Sequence, residues 1–280
     1  MASLRVAYFG EEGSFTHVAA LRRFRRGIFL SAPTVEEAFE LLYNKQVRYA
    51  VVPIENTSVG IITDTVDQLI ASTQRPSAPQ VVECVTMPVE FALLCRDPKK
   101  PISVIYSHFS PLGHARLWLK EHYPQIPQVV VTSTAEAARR ARDEVGAAAL
   151  AGLHAAPIYQ LKVLARGLGR EVPNHTSFLI LGDHPPAPRL KATHTILIFE
   201  LPHRPGALVD ALSRIASRGY NLTRIQSRPI PGRFQEYRFM IEVEIGEEVK
   251  PWKEVMQALR EVTTTVHSVG RYGQRWLTDP

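Results

Sequence analysis

Val51-Val-Pro-Ile-Glu-Asn-Thr-Ser-Val-Gly60 runs from an apolar, β-branched stretch straight into a cluster of hydrogen-bonding side chains. Tyr49 to Ile54 reads as a strand covered on both faces, because a strand with one wet face would alternate apolar and polar residues. Pro53 near its end limits further pairing. Glu55, Asn56, Thr57 and Ser58 then crowd four polar side chains together before Gly60, and a helical pattern with Asp64, Val66, Leu69 and Ile70 follows. In open α/β sheets, ligands sit in the crevice at the carboxyl ends of the strands, which makes this segment a candidate site. The same residues also read as a helix N-cap region, since Asn, Thr and Ser all start helices well.

On either side, strands are predicted at Leu4 to Phe9, Val81 to Leu94, Val104 to Tyr106, Val129 to Val131, Ala147 to Ala151 and Phe178 to Leu181, alternating with helical stretches. That alternation indicates an α/β sandwich, and periodicity leaves open whether it holds one sheet or two. The clearest boundary is His184-Pro-Pro-Ala-Pro-Arg189, whose prolines forbid a continuing helix and give a stiff, extended connection. Beyond it, Thr193 to Leu201 alternates as a strand and Pro205 to Arg218 has helical spacing, stopped by Gly219. Asn221 to Arg228 and Tyr237 to Ile245 read as strands, Pro251 to Val262 as a helix opened by proline, and Thr264 to Val269 as a last strand. That order is βαββαβ, the split-βαβ (ferredoxin-like) pattern.

A chain of 280 residues with 45% hydrophobic and 21% charged residues has the composition of an ordinary soluble globular protein. No segment approaches the roughly 18 uninterrupted apolar residues of a membrane span, and the opening MASLRVAYFG reads as a strand, so no membrane partner and a cytoplasmic location are expected. Cys84 and Cys95, the only two cysteines, lie in strand-like stretches and are expected as buried free thiols. The net charge of +6 is scattered except at Arg22, Arg23, Arg25 and Arg26, which read as a solvated helix face with no nucleic-acid partner. A modest positive charge suits a small dianionic substrate.

The ten histidines include no HExxH-type pair, so no metal site is expected. Gly10-x-x-Gly13 follows a strand and precedes a helix, but it lacks the third glycine of a dinucleotide-binding turn. The polar endowment of the candidate segments is hydroxyl and amide.

Gly10-Glu-Glu-Gly-Ser-Phe-Thr-His-Val-Ala-Ala20, the Pro-Ile-Glu-Asn-Thr segment at 53–57, Tyr106-Ser107-His108 and Asn174-His-Thr-Ser-Phe178 together resemble, in order, the motifs of the prephenate dehydratase family. Gly206-Ala-Leu208 and Gln226-Ser-Arg-Pro229 are similar to the two signatures of the ACT regulatory domain that commonly follows. The resemblance covers nearly all of the chain. It implies a bilobal, periplasmic-binding-protein-like catalytic domain over 1–184, with the chain crossing between lobes near Val81 and Val163. A proline-rich linker over 185–192, an ACT domain over 193–272 and a tail over 273–280 would complete the chain.

The resemblance further implies the decarboxylative dehydration of prephenate to phenylpyruvate, with no cofactor. Thr176 would protonate the departing hydroxyl, and Asn56 and Ser107 would orient the substrate. Thr57, Ser14, Thr16, Ser133, Thr134, Phe178 and His114 stand at positions expected to bind substrate, although helix capping is an equal reading for the five hydroxyl residues. L-Phenylalanine would bind as effector at Gly206, Ala207, Leu208, Asn221, Leu222, Gln226, Ser227, Arg228 and Pro229, in a homodimer or homotetramer.

The departures from the family pattern matter as well. Its Thr-Arg-Phe arginine is Ser177 here, which removes a bidentate partner for a carboxylate, and Arg166, Arg170 and His175 are the candidates to replace it. Phe109-Ser110 and then His114 stand where the family carries Pro-Gln and a second glutamine, and Glu11 replaces a proline. Gln226 replaces the customary glutamate. These changes leave open prephenate decarboxylation without loss of the hydroxyl, arogenate as the substrate, and a non-catalytic, amino-acid-responsive binding protein.

Overall fold

The computed structural model describes residues 3–169, 173–246 and 252–277. The first lobe contains β1 (Arg5–Phe9), α1 (Phe15–Phe24), β2 (Ile28–Ala32), α2 (Val35–Tyr43), β3 (Tyr49–Asn56), β4 (Gly60–Ile61), α3 (Thr63–Ser72) and β5 (Gln80–Pro88). The second contains β6 (Phe91–Cys95), β7 (Val104–Ser107), α4 (Phe109–His114), α5 (Arg116–His122), β8 (Gln128–Val130), α6 (Thr134–Asp143), β9 (Ala147–Gly152), α7 (Ala155–Ile158) and β10 (Lys162–Leu168). β11 (His175–Gly182) returns to the first lobe. β12 (His194–Glu200), α8 (Ala207–Ala216), β13 (Asn221–Pro229), β14 (Tyr237–Glu244), α9 (Trp252–Arg260) and β15 (Thr265–Trp276) follow. This is the expected bilobal α/β arrangement followed by βαββαβ.

The reading of β3 as a doubly covered strand holds. Ala50, Val52 and Ile54 pack with Phe39 of α2 and Leu69 of α3, whereas Tyr49 and Val51 pack on the opposite face with Val18 and Ala19 of α1. Successive side chains of a strand point to opposite faces, so an unbroken apolar run requires cover on both. In the second lobe β9 is wholly buried, and α6 presents Ala135, Ala137, Ala138 and Ala141 to its cluster, small residues that let the helix lie close.

The described residues form two sheets. The second lobe has the order β10-β6-β9-β7-β8, and the first lobe has β5-β11-β3-β1-β2 with β4 paired to β3. The first-lobe sheet does not end at β5, because β15 runs parallel to it and joins β13-β14-β12-β15 into one ten-stranded sheet.

The strand boundaries correct two expectations. Residues 273–276, expected in a tail, belong to β15, where Gly273 pairs with Glu83 and Trp276 with Thr86. Gly270 makes the junction possible: its φ is +139, and a Cβ there would overlap the Val81 carbonyl oxygen. The single strand expected from Val81 to Leu94 is two, since β5 ends at Pro88, which has no N–H to extend a ladder, and β6 starts in the other sheet. The chain therefore crosses at Val89 and Glu90, and it returns after Leu168, because β10 stays antiparallel to β6 as far as the Leu168–Phe91 pair.

The arginine group corrects a third. Arg23 is 8% exposed, and its guanidinium donates to both Glu83 carboxylate oxygens at 2.8 Å and to the Pro186 carbonyl at 3.1 Å. Its neighbours Arg25 and Arg26 are exposed. Helical spacing identified the face but could not reveal a buried carboxylate sixty residues away. Cys84 and Cys95 are buried free thiols, and burial pushes Cys84 up to about 11. Pro251, expected to open the last helix, lies outside the described residues.

Candidate active site

A cleft of about 630 Å³ opens between the two sheets. Its first-lobe wall comes from the loop after β1, from Pro53 and Asn56 of β3, and from Thr176 and Phe178 of β11; its second-lobe wall comes from Phe91, from His108 to Pro111 and from Thr132 to Thr134. Strand ends and helix starts converge there, as they do at ligand sites of α/β sheets.

The polar centre of the first-lobe wall is a hydrogen-bonded set. Antiparallel pairing of β3 with β11 sets Asn56 opposite Thr176. The Asn56 amide donates from Nδ2 to Thr176 Oγ1 at 2.8 Å and to Asn174 Oδ1 at 2.6 Å. Its Oδ1 accepts from the backbone N–H groups of Ser58 and Val59 at 2.9 and 3.2 Å. With Asn56 donating to its oxygen, Thr176 keeps its own proton for another acceptor. Thr176 is 8% exposed, at the cleft surface and otherwise enclosed.

The five hydroxyl residues divide. Ser14 and Ser133 line the cleft and are also helix caps: Ser14 Oγ accepts from His17 N at 3.2 Å and Ser133 Oγ from Glu136 N at 2.9 Å. Glu136 completes a capping arrangement by accepting from the hydroxyl and the N–H of Thr132, and these bonds pull its carboxyl down to about 2. Thr16 and Thr134 also line the cleft. Thr57 does not: its hydroxyl accepts from His175 N at 3.0 Å and donates to the Pro173 carbonyl at 3.4 Å, clasping the entry to β11.

The structure places Ser107 outside the cleft. It is fully buried, and its hydroxyl donates to the Leu150 carbonyl at 2.6 Å, tying β7 to β9. A hydroxyl at the end of a strand can point into the core as readily as out of it, and the motif does not show which. His114 stands at the rim, where Nε2 lies 2.5 Å from Ser58 Oγ of the first lobe and 3.3 Å from Asn174 Nδ2. Phe178 lines the cleft wall.

Of the three candidate replacements for the missing arginine, Arg166 is exposed on β10 and the His175 ring meets Trp276 edge-on at 5.1 Å. Arg170 lies outside the described residues. No arginine or lysine is among the described lining residues, and Glu11 is there. Burial pushes His108 down, which leaves the imidazole neutral in the cleft wall. Anionic groups would therefore meet hydroxyls and the starts of α1 and α6, whose dipoles favour negative charge.

Sequence reasoning quoted Asn174 and Ser58 within candidate segments but gave neither a role. Asn174 stands two residues before Thr176, and the period of two along an extended chain was the available signal that both share a face. The loop after β1 is also held from the far lobe. His154 Nε2 donates to the Gly13 carbonyl at 3.0 Å and the Tyr159 hydroxyl to that of Glu12 at 2.6 Å. Burial pushes His154 down to about 4, so it makes this contact as a neutral ring.

In the C-terminal domain, Gly206 caps α8 with φ +81 and Ala207 and Leu208 form its first turn. Asn221 to Pro229 form β13, an edge strand with Asn221, Ser227 and Pro229 exposed and Leu222, Gln226 and Arg228 half-buried. The Arg228 guanidinium is turned to the first lobe, donating to both Asp67 oxygens at 2.6 and 2.5 Å.

Comparison with known proteins adds independent findings. The family model for prephenate dehydratase matches residues 6–186, and that for the ACT domain matches residues 195–261. The bifunctional chorismate mutase/prephenate dehydratase of Pseudomonas aeruginosa is 33% identical over 276 residues, spanning 96% of this chain and 73% of its own length. Among solved structures, the prephenate dehydratase of Arthrobacter aurescens in complex with L-Phe superposes with a TM-score of 0.84 at 28% identity, covering 96% of this chain and 90% of that one. GqqA, described as a novel type of quorum-quenching acylase, superposes with a TM-score of 0.81 at 26% identity, covering 96% and 97%.

Proposed function

Because the chain belongs to the prephenate dehydratase family, we propose that its cleft converts prephenate to phenylpyruvate, acting as a carbon–oxygen lyase, and that Thr176 supplies the proton. The observation that carries the role of Thr176 is the Asn56 amide donating to its oxygen, which directs the hydroxyl proton toward the cleft.

Hydroxide is a poor leaving group, and a positioned proton donor is worth roughly 10² to 10⁴ in rate. As the carbon–oxygen bond breaks, the Thr176 proton passes to the departing oxygen to give water. The carbon–carboxylate bond gives up its electron pair to the ring and carbon dioxide leaves. Aromatisation drives the step. The reaction consumes one proton overall, so solvent must restore the threonine hydroxyl. Asn56 and Asn174 hold the donor in place, and holding reactants in a near-attack geometry supplies a large part of a barrier reduction. Ser14, Thr16, Ser133 and Thr134 would receive the carboxylates. Ser107 has a structural role in this reading.

The acylase activity described for GqqA finds little support in this cleft. Ser58 and His114 form a hydroxyl–imidazole contact, but the N–H groups of Ser58 and Val59 are already engaged by Asn56 Oδ1, which leaves neither to stabilise an oxyanion.

Incubation of the purified protein with prephenate, and with arogenate in parallel, tests the reading. Phenylpyruvate is expected well above the spontaneous rate. A product that has lost carbon dioxide but kept its hydroxyl would move the protein to the decarboxylases, and no turnover of either compound would leave a binding protein.

The reading extends to L-phenylalanine as effector, bound by the start of α8 and by β13 of paired domains in a homo-oligomer. The likeness to a relative solved with L-Phe supports it. Two buried free thiols suit a reducing compartment, which supports a cytoplasmic location. L-Phenylalanine at about 100 times its dissociation constant should stabilise the protein by about 2.7 kcal/mol, visible as a rise in melting temperature. No heat of binding and no shift would contradict the effector assignment.

A further inference from the structure

Arg224 of β13 reaches out of the C-terminal domain to the strand that carries Asn56. Its side chain is 9% exposed, and its Nε donates to Glu55 Oε2 at 2.6 Å. The opposite end of the guanidinium is anchored, because Nη1 donates to Glu242 Oε2. The Glu242 carboxylate is itself buried and fixed, its Oε1 accepting from Thr223 Oγ1 at 2.7 Å and from Gln274 Nε2 at 3.0 Å. A planar guanidinium held in this way aims its Nε–H in one direction, at Glu55.

Glu55 and Asn56 are the last two residues of β3, and their side chains point to opposite faces. One face meets Arg224; the other meets Thr176 and Asn174. The β3–β11 ladder is irregular here, with a register shift between Ser177 and Phe178, so regular ladder pairing alone does not control side-chain direction at this strand end. A contact on the far face supplies that control.

We propose that Arg224, carried by the C-terminal domain, is a positioning residue of the dehydratase site: by holding the Glu55 carboxylate it fixes the peptide that aims Asn56 at Thr176. The C-terminal domain thus sets the basal turnover of the cleft in the absence of any effector. Docking of the domain does not depend on Arg224 alone, since the Arg228–Asp67 pair and the β15–β5 ladder also join it to the first lobe. Loss of Arg224 frees Glu55 without detaching the domain.

The proposal rests on the dehydratase reading, and full-length variants assayed for phenylpyruvate formation without phenylalanine test it. Arg224→Met should lower kcat by about 10- to 100-fold, the scale expected when a catalytic group is misplaced by about an ångström. KM should change by no more than about threefold, because the groups proposed to receive the carboxylates are untouched. Arg224→Lys should recover part of the loss. Glu55→Ala removes the half-exposed partner and leaves the buried Arg224–Glu242 pair intact, so it decides the matter should Arg224→Met fail to fold; the same fall in kcat is expected. Arg238→Met breaks an ion pair with Glu200 inside the C-terminal domain and should leave kcat unchanged. A kcat within about twofold of wild type in Glu55→Ala, or in a folded Arg224→Met, overturns the proposal. An equal fall in Arg238→Met also overturns it, because the effect would then be general destabilisation. Absence of turnover by the wild type overturns the dehydratase reading and this proposal with it.

Discussion

Thr176→Ala is expected to lower kcat for phenylpyruvate formation by about 10²- to 10⁴-fold, the range lost when a positioned general acid is removed. KM should move far less, since the hydroxyl acts on the leaving group as the bond breaks and contributes little to holding the ground state. Thr176→Ser, which keeps the hydroxyl but loses the β-branching that restricts its rotamer, should fall between. Asn56 Nδ2 would still find Asn174 Oδ1 and the His175 carbonyl in the alanine variant, so the fold at the β3–β11 junction should survive. Single-turnover measurement with saturating prephenate separates the chemical step from release. A kcat within about tenfold of wild type would remove Thr176 from the role of proton donor.

The largest effect on stability is expected from Arg23→Met. Glu83 is 2% exposed in its side chain and receives two hydrogen bonds from Arg23 and one, at 3.2 Å, from the more exposed Arg275. Removing one partner of a buried ion pair strands the other, at a cost of about 3–5 kcal/mol. That is a large share of the roughly 5–15 kcal/mol that holds a domain folded. The proline-rich connection would loosen as well, because Arg23 also donates to the Ala187 and Pro186 carbonyls. Thermal melting should fall by on the order of 10 °C. Replacing both partners, Arg23→Met with Glu83→Leu, should recover much of the loss, because no buried carboxylate then lacks its main partner, and Arg275, 29% exposed in its side chain, can turn to solvent. If the double variant melts no higher than the single one, stranding of Glu83 is not the cause.

Both predictions depend on residues whose partners are far away in the chain, and this separates what was legible in the sequence from what was not. The doubly covered β3 and the βαββαβ order were legible, because hydrophobic periodicity acts over a few residues. The motifs containing Asn56 and Thr176 were legible too, and the structure joins them by a hydrogen bond. Ser107 was misplaced because its motif marks a strand end and carries no information about which way the side chain turns. Arg23 was misread because helical spacing shows a face and not what lies against it.

The sequence by itself determined the element types, the two-part organisation and the residue types able to carry hydroxyl-and-amide chemistry in place of strong acids and bases, since these follow from local backbone preference and side-chain identity. Only the tertiary structure decided that β15 continues the first-lobe sheet, that Arg23 and Arg224 serve the buried carboxylates of Glu83 and Glu242, and that the cleft wall holds no described arginine or lysine. Those outcomes depend on which distant segments share a low-dielectric interior. There, a charge must find its partner wherever the fold brings one, and the spacing of residues along the chain does not record that choice.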